Sequence, residues 1–472
     1  MENSVPTERP GPAPSASPPA PLWIAAIWVI LLCWIGRREM LDDALIHLRY
    51  ATVLHDRHFI SFDGIHPTYG ASSLLYVGIL ALLRSVTQSP LLPKAVSLIA
   101  YVGLLGLAYQ IARINRLAVA LIFVLVSPFA VRWLTDGMET SLACLLAVAF
   151  AMLLHRNAPP AALASIALVM SLLRVDLTFP VAFGVILLID KKEWLRAASL
   201  CIGSGLSLAF IQLTMGHLLP DTALAKEGLP FFEVLRFATR EIVAALSFGL
   251  GLVLVWIVSA GSAWRIDRRS ALICNLPFPV LILLAAAKGQ QMHGIRYMVW
   301  ALLFSITWNL LVTRAAPQGR VIFLSALACA LVCAWIVELP VILRIDRGRA
   351  QNLEAMEHAH LDQLHGEGLA GDVGYIGYFS AAPICDINGL VNGRAAAQMS
   401  EEQRIQACIA AHPSFLFLSE SQTEFLDAFY NVNSRTEWLD CGSVNFTNVS
   451  ASDRHTLLVR RTEYPNGCPA HL

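Results

Sequence analysis

Long apolar runs, joined by connections too short to hold a soluble domain, constrain this chain more than any motif it carries. They cover roughly 91–112, 117–131, 139–154, 160–173, 177–189, 195–215, 240–260, 270–287, 296–313 and 320–338, after a first run from Leu22 to Ile35. A helix needs about 20 apolar residues to cross the hydrocarbon of a bilayer. Only 14% of the residues are charged and 56% are apolar, against about 25% charged in an ordinary soluble domain. So few charges cannot coat one water-soluble globule of this length. That excludes a purely cytosolic enzyme, a disordered chain and a coiled coil. The 34 basic and 34 acidic residues cancel, so no global field favours nucleic acid. The expected fold is an all-α polytopic membrane protein with a small α/β domain at its C-terminal end.

The basic residues give that fold a direction. They recur at alternate connections, as Arg113 and Arg116, Arg156, Lys191, Lys192 and Arg196, Arg265, Arg268 and Arg269, and Arg314 and Arg320. The positive-inside rule places these in the cytoplasm. The connections near 132–138, 174–176, 216–239 and 288–295 then lie outside, with everything after about residue 340. Residues 1–20, rich in Pro, Ser and Ala, read as a disordered cytoplasmic tail. The first apolar run reads as a retained membrane helix, because no small-residue cleavage pattern follows it. Parity then gives about eleven transmembrane helices. Leu74–Leu83, ending at Arg84, is too short to span and reads as a partial or re-entrant helix. Arg37 and Arg38, just after the first run, pull against this orientation. The expected organisation is a tail (1–20), a transmembrane domain (21–344) and a soluble extracytoplasmic domain (345–472) in the inner, cytoplasmic membrane.

The first outer loop, residues 37–73, holds the densest chemistry. Asp42 and Asp43 stand just beyond the first apolar run, and Leu41, Leu45, Leu48 and Thr52 recur at helical spacing, which predicts an amphipathic helix on the membrane surface. Carboxylates in its first turn suit the positive end of the helix dipole. They serve equally as an N-terminal cap, as a general base at the bilayer surface or as ligands to a divalent cation. His47 stands four residues from Asp43 and is the best single metal candidate among His47, His55, His58 and His66.

The pattern Asp42-Asp43-x-x-Ile46-x-Leu48-Arg49-Tyr50-Ala51, then Phe62-x-Gly64, then Gly70-Ala71-Ser72-Ser73-Leu74, resembles the first outer loop of GT-C glycosyltransferases, in the bacterial arabinosyl- and mannosyltransferase-like branch. Gly137-Met138-Glu139-Thr140, Leu173-Arg174-Val175-Asp176, Leu219-Pro220-Asp221-Thr222 through Lys226, and Gly371-Asp372-Val373-Gly374 through Gly389 are similar to later segments of that family, in the expected order. Asp221 stands where the family has Asn, and Val175 where it has Pro. The resemblance implies transfer of a sugar from a polyprenyl-phosphate donor to a glycan, lipid or protein acceptor outside the cytoplasm. It implies Asp42 or Asp43 as the base. Arg49, Tyr50, Ser72, Ser73, Glu139, Arg174, Asp176, Lys226, His293 and Arg296 are then the expected donor-binding residues.

Bland roles suit several of these as well. Arg174 and Asp176 can pair with each other, Glu139 can compensate a helix dipole, and Lys226 and Arg296 can snorkel rather than hold a phosphate. A transporter of lipid-linked sugar, or a silent assembly factor on the same scaffold, stands as the alternative, although no internal repeat of the transporter kind is visible.

In the C-terminal region, helices are expected over Asn352–His365, Ser400–Ala411 and Gln422–Phe429, strands over Phe415–Leu418 and Thr456–Val459, and turns at Gly371, Gly374, Gly377 and Gly389. This domain carries few paired acid and base residues and reads as an acceptor contact or a cap over the membrane site. Of the ten cysteines, Cys385, Cys408, Cys441 and Cys468 fall here. They suit either two disulfides in an oxidising compartment or four thiols.

Overall fold

The computed structural model describes residues 20–115, 118–225, 236, 239, 251–287, 298–313, 320–380, 382–430, 437–447 and 452–472. Residues 1–19 of the expected tail, and Arg116, Lys226, His293, Arg296 and Arg314, lie outside the described residues.

The apolar runs become helices whose ends are set by prolines and caps. α1 (Ala20–Ile35) leads into α2 (Asp42–Arg57) and the short α3 (Leu74–Arg84), followed by α4 (Leu92–Ile114). The run at 117–131 breaks into α5 (Ala118–Leu125) and α6 (Pro128–Leu134). Ser127 caps α6 by accepting the Ala130 N–H, and Pro128 fills the first turn, where its missing N–H costs nothing. Next come α7 (Thr140–His155), α8 (Pro160–Leu173), α9 (Thr178–Asp190), α10 (Trp194–Met215), the single turn α11 (Asp221–Leu224) and α12 (Gly251–Trp264). The run at 270–287 splits at Pro277 into α13 (Arg268–Asn275) and α14 (Pro277–Ala287). The bundle closes with α15 (Val299–Val312) and α16 (Arg320–His358).

Of these, α4 and α10 are each long and apolar enough to cross a membrane. They expose Ile99, Val102, Leu206, Phe210 and Leu213, a surface suited to hydrocarbon rather than water. Inside the bundle small and polar residues do the joining, because lipid gives apolar side chains no reason to prefer each other. Gly203 of α10 lies against the Ala164 carbonyl of α8, where a Cβ would clash. Asn275 and Asn309 exchange side-chain amide bonds of 3.1 and 3.0 Å between α13 and α15.

The helix α16 runs unbroken through residue 345, so the step from bundle to C-terminal domain falls inside one helix. Beyond it come β1 (Gly368–Ala370), α17 (Val373–Ser380), β2 (Ile384–Asp386), α18 (Arg394–Ala397), α19 (Glu401–Ala410), β3 (Phe415–Ser419), α20 (Glu420–Tyr430), β4 (Trp438–Thr447) and β5 (Ser452–Arg460). The sheet order is β2-β1-β3-β5-β4, with β1 parallel to β2 and β3, and β5 antiparallel to β3 and β4. Two disulfides, Cys385–Cys408 and Cys441–Cys468, pair the four cysteines of this region. Ser400 and Gln403 form a capping box that starts α19.

Alternation along β3 divides the core. Leu416 and Leu418 pack with Ile405, Cys408 and Leu426 on one face. Phe415 and Phe417 belong to a cluster that continues through Tyr375 and Ile376 into Met40, Tyr50 and Phe62 of the first loop. Gly374 and Gly377, expected as turns, are helical: they lie on one face of α17, against the Asp42 backbone and the Phe62 ring. A side chain at either would push α17 off α2. Arg132 at the end of α6 pairs with Glu39 at 2.8 Å and with Asp346 of α16, and Lys94 of α4 lies 3.7 Å from Glu39. The first loop and the C-terminal domain therefore occupy one end of the bundle, and Lys192, exposed after α9, the other.

Single cysteines introduced for Ile65 and Met399, both exposed, are expected to react with a membrane-impermeant maleimide from the same side of the membrane. Lys192→Cys should react only from the opposite side. Labelling of positions 65 and 399 from different sides would be incompatible with this fold.

Candidate active site

The first turn of α2 places Asp42 and Asp43 side by side, half-buried, at the junction of the bundle and the C-terminal domain. Asp42 accepts hydrogen bonds from the backbone N–H groups of Gly374 (3.0 Å) and Tyr375 (2.8 Å). The N-terminus of α17 is thus capped by a carboxylate from another domain, in the way a helix favours an anion at its positive end. Burial, then the carboxylates of Asp372 and Asp43, push the Asp42 pKa well above the usual carboxylate value, against the pull of the two N–H groups.

One turn along α2, His47 is buried. Its Nδ1 lies 2.9 Å from the Asp43 carbonyl. A carbonyl only accepts, so Nδ1 carries a proton. Its Nε2 faces the Glu139 carboxylate at 3.8 Å. Glu139 occupies the N-cap position of α7 and is fully buried. Arg174 donates to it at 2.9 Å through Nη1, and to Asp176 at 2.9 and 2.7 Å through Nε and Nη2. Arg174 thus pairs with its hairpin neighbour, as the sequence allows, and also joins Glu139.

The turn leading into α7 is held by Tyr76, whose hydroxyl lies 2.8 Å from the Gly137 carbonyl and 2.9 Å from that of Pro93. Gly137 has a φ of +92°, a conformation open to glycine. Around this turn His47 Nε2, Thr140 Oγ1 and Ser141 Oγ are buried without a hydrogen-bond partner. Orphaned polar atoms are rare in a folded interior.

Other expected binding residues build the loop around the site. Arg49 donates to the Phe62 carbonyl at 2.9 Å. The Tyr50 hydroxyl lies 2.8 Å from Thr68 Oγ1 and accepts the Gly70 N–H at 2.9 Å. Ser73 caps α3 by accepting the Tyr76 N–H at 3.3 Å, with Ser72 half-buried beside it. Asp221 accepts the Tyr69 N–H at 2.8 Å and lies 3.0 Å from His217 Nε2, two contacts that use carboxylate oxygens. Lys226, His293 and Arg296 lie outside the described residues. Sequence reasoning weighed His47 only as a metal ligand, named Thr140 only within the Gly137–Thr140 segment and did not name Ser141. Among the described residues, no three His, Cys, Asp or Glu side chains are grouped to hold a metal ion.

Arg174→Ala takes the guanidinium partner from a fully buried Glu139, and such losses cost about 3–5 kcal/mol. A lower thermal midpoint is expected for the purified protein in detergent, with recovery on adding Glu139→Gln. Failure of the second substitution to recover stability would show that the pair is not what holds α7 to the 174–176 hairpin.

No family model matches the chain, and no curated protein matches it. Among solved structures, the crystal structure of ArnT from Cupriavidus metallidurans bound to undecaprenyl phosphate is similar, with a TM-score of 0.56 and 12% identity, covering 93% of this chain and 98% of that one. The apo state of the same protein gives a TM-score of 0.54 at the same identity and coverage. The likeness bears out the GT-C resemblance at the level of fold, over nearly the whole of both chains.

Proposed function

We propose that this chain is an inverting membrane glycosyltransferase that moves a sugar from a polyprenyl-phosphate donor to a glycan, lipid or protein acceptor at the extracytoplasmic face of the inner membrane. The observation that carries the reading is the near-full-length fold likeness to ArnT, a protein solved with undecaprenyl phosphate bound, combined with the acidic pair that opens α2. The paired cysteines of the C-terminal domain support its extracytoplasmic placement, because disulfides persist in oxidising compartments.

Asp42 accepts two N–H groups at the N-terminus of α17. We assign the general base to Asp43, its neighbour in the first turn of α2. It takes the proton of the acceptor hydroxyl as the acceptor oxygen bonds to the anomeric carbon, and the bond from that carbon to the phosphate oxygen breaks on the opposite face. The lipid phosphate departs with the bonding electrons. Positioning of the two substrates and a base of suitable pKa supply the acceleration. His47, Thr140 and Ser141 meet sugar hydroxyls, while Arg174, already between Glu139 and Asp176, orients the acidic wall rather than carrying the phosphate. Lys226, His293 and Arg296 are the candidates for the phosphate charge, which a pre-placed cation stabilises as it grows.

The test is sugar transfer from a labelled polyprenyl-phosphate donor in proteoliposomes. Asp43→Asn is expected to lower turnover by about 10²-fold or more with insertion and expression intact. Asp42→Asn, which keeps an acceptor oxygen for α17, should retain more activity than Asp42→Ala. Wild-type turnover in Asp43→Asn would remove the base. Movement of intact donor across the bilayer without sugar release would favour a transporter.

A further inference from the structure

The residue just before α17 is Asp372, the position from which an aspartate ordinarily caps its own helix. It does not do so here. Its carboxylate is turned to His455 of β5, with Oδ2 2.7 Å from Nε2. His455 is fully buried, wedged between Phe446 (ring centroids 4.6 Å apart) and Phe417 (5.4 Å). The imidazole therefore has little freedom, and its Nε2 meets Asp372 as a close ion-pair contact without hydrogen-bond alignment. With Asp372 held aside, the first N–H groups of α17 are taken by Asp42 of the first loop. The heads of α2 and α17 meet, and the carboxylates of Asp42, Asp43 and Asp372 gather there.

We infer that Asp372 and His455 are positioning residues for the acidic pair, so that the C-terminal domain is a working part of the active site rather than a cover over it. The inference rests on the glycosyltransferase reading above. His455 keeps Asp372 from capping α17, the vacated helix end binds Asp42, and Asp42 fixes the turn that carries Asp43. Asp372 also adds a negative charge facing Asp42. Burial, and then such a charge, favours the protonated form of Asp42, and the acid limb of a pH–rate profile reads Asp42 and Asp43 as one coupled pair. The groups facing Asp42 are Asp43 on its own helix, Asp372 across the junction and the two N–H groups of α17. His455 acts through Asp372, while Glu39, Arg132 and Arg349 face the adjoining Tyr375.

The experiment compares pH–rate profiles for donor turnover in proteoliposomes. Asp372→Asn and Asp372→Ser remove a charge at a half-exposed position and are expected to move the acid limb of kcat to lower pH by about half a unit or more. Asp372→Glu, which restores the charge, should return the limb toward the wild-type position. His455→Phe fits the aromatic niche but releases Asp372 to its own helix. It is expected to lower kcat while leaving the KM for donor unchanged. A purely structural role would lower the amount of folded enzyme and leave the limb where it was. An unshifted limb in both Asp372 variants, or wild-type kcat in His455→Phe, overturns the inference while the reading above stands. Full activity of Asp43→Asn in the same assay overturns the reading itself.

Discussion

Two hydrogen bonds hold the functional end of this molecule together. They run from the N–H groups of Gly374 and Tyr375 to the Asp42 carboxylate and join residues 332 and 333 positions apart. A charge-assisted bond of this kind contributes roughly 1.5–3 kcal/mol, modest beside the apolar core that flanks it. Its importance is geometric. Apolar packing leaves two surfaces free to slide, whereas a carboxylate that accepts two adjacent N–H groups admits one register. Gly374 makes the approach possible, since a Cβ there would occupy the space of the Asp42 backbone. Tyr375 then adds its hydroxyl to the Met40 carbonyl at 2.7 Å, fixing the turn from the other side.

The charges of the bundle follow one pattern. Arg174 stands between Glu139 and Asp176, and Arg132 between Glu39 and Asp346. An ion at this depth is tolerated where its partners are also hydrogen-bonding groups. A planar guanidinium meets two carboxylates without crowding, which a lysine ammonium does less well. For Glu39, burial alone would raise the pKa, but Arg132, Lys94 and Arg349 together hold it below the ordinary value. Each arginine ties helices that apolar contact alone would leave unregistered: Arg132 joins α6 to α16, and Arg174 joins the 174–176 hairpin to α7. An arginine so enclosed has little charge left for a phosphate, which is why the donor's charge falls to other cations in the proposed reaction.

Local features were legible where the cause was local. Apolar runs became helices, the stretch from Ser400 became α19, and Phe415–Leu418 and Thr456–Val459 fall within strands β3 and β5. The breaks at Pro128 and Pro277 sit inside runs that hydropathy alone reads as continuous, although the prolines themselves were in plain view. Gly374 and Gly377 read as turns because glycine permits unusual backbone angles and close approach; the close approach is present, but within a helix. Their reason, the backbone of Asp42 and the ring of Phe62, lies more than 300 residues upstream and leaves no periodic trace around them. The disulfide pairing was open for the same reason: spacing allows several connectivities, and only the sheet brings Cys385 to Cys408 and Cys441 to Cys468.

The residues of the first-loop pattern divide into two kinds once their partners are known. Arg49 and Tyr50 satisfy backbone groups of the loop, Ser73 caps α3, and Gly70 makes room for the Leu390 carbonyl of the C-terminal domain. Together they dictate a shape, and a shape is what an ordered set of short motifs can encode, because each turn demands particular side chains at fixed offsets. The buried polar atoms with capacity to spare, on His47, Thr140 and Ser141, lie next to those residues rather than among them. A scaffold of this kind can keep its loop while the neighbouring polar side chains change with the ligand. His47, one turn beyond the acidic pair and facing Glu139, is one such neighbouring side chain.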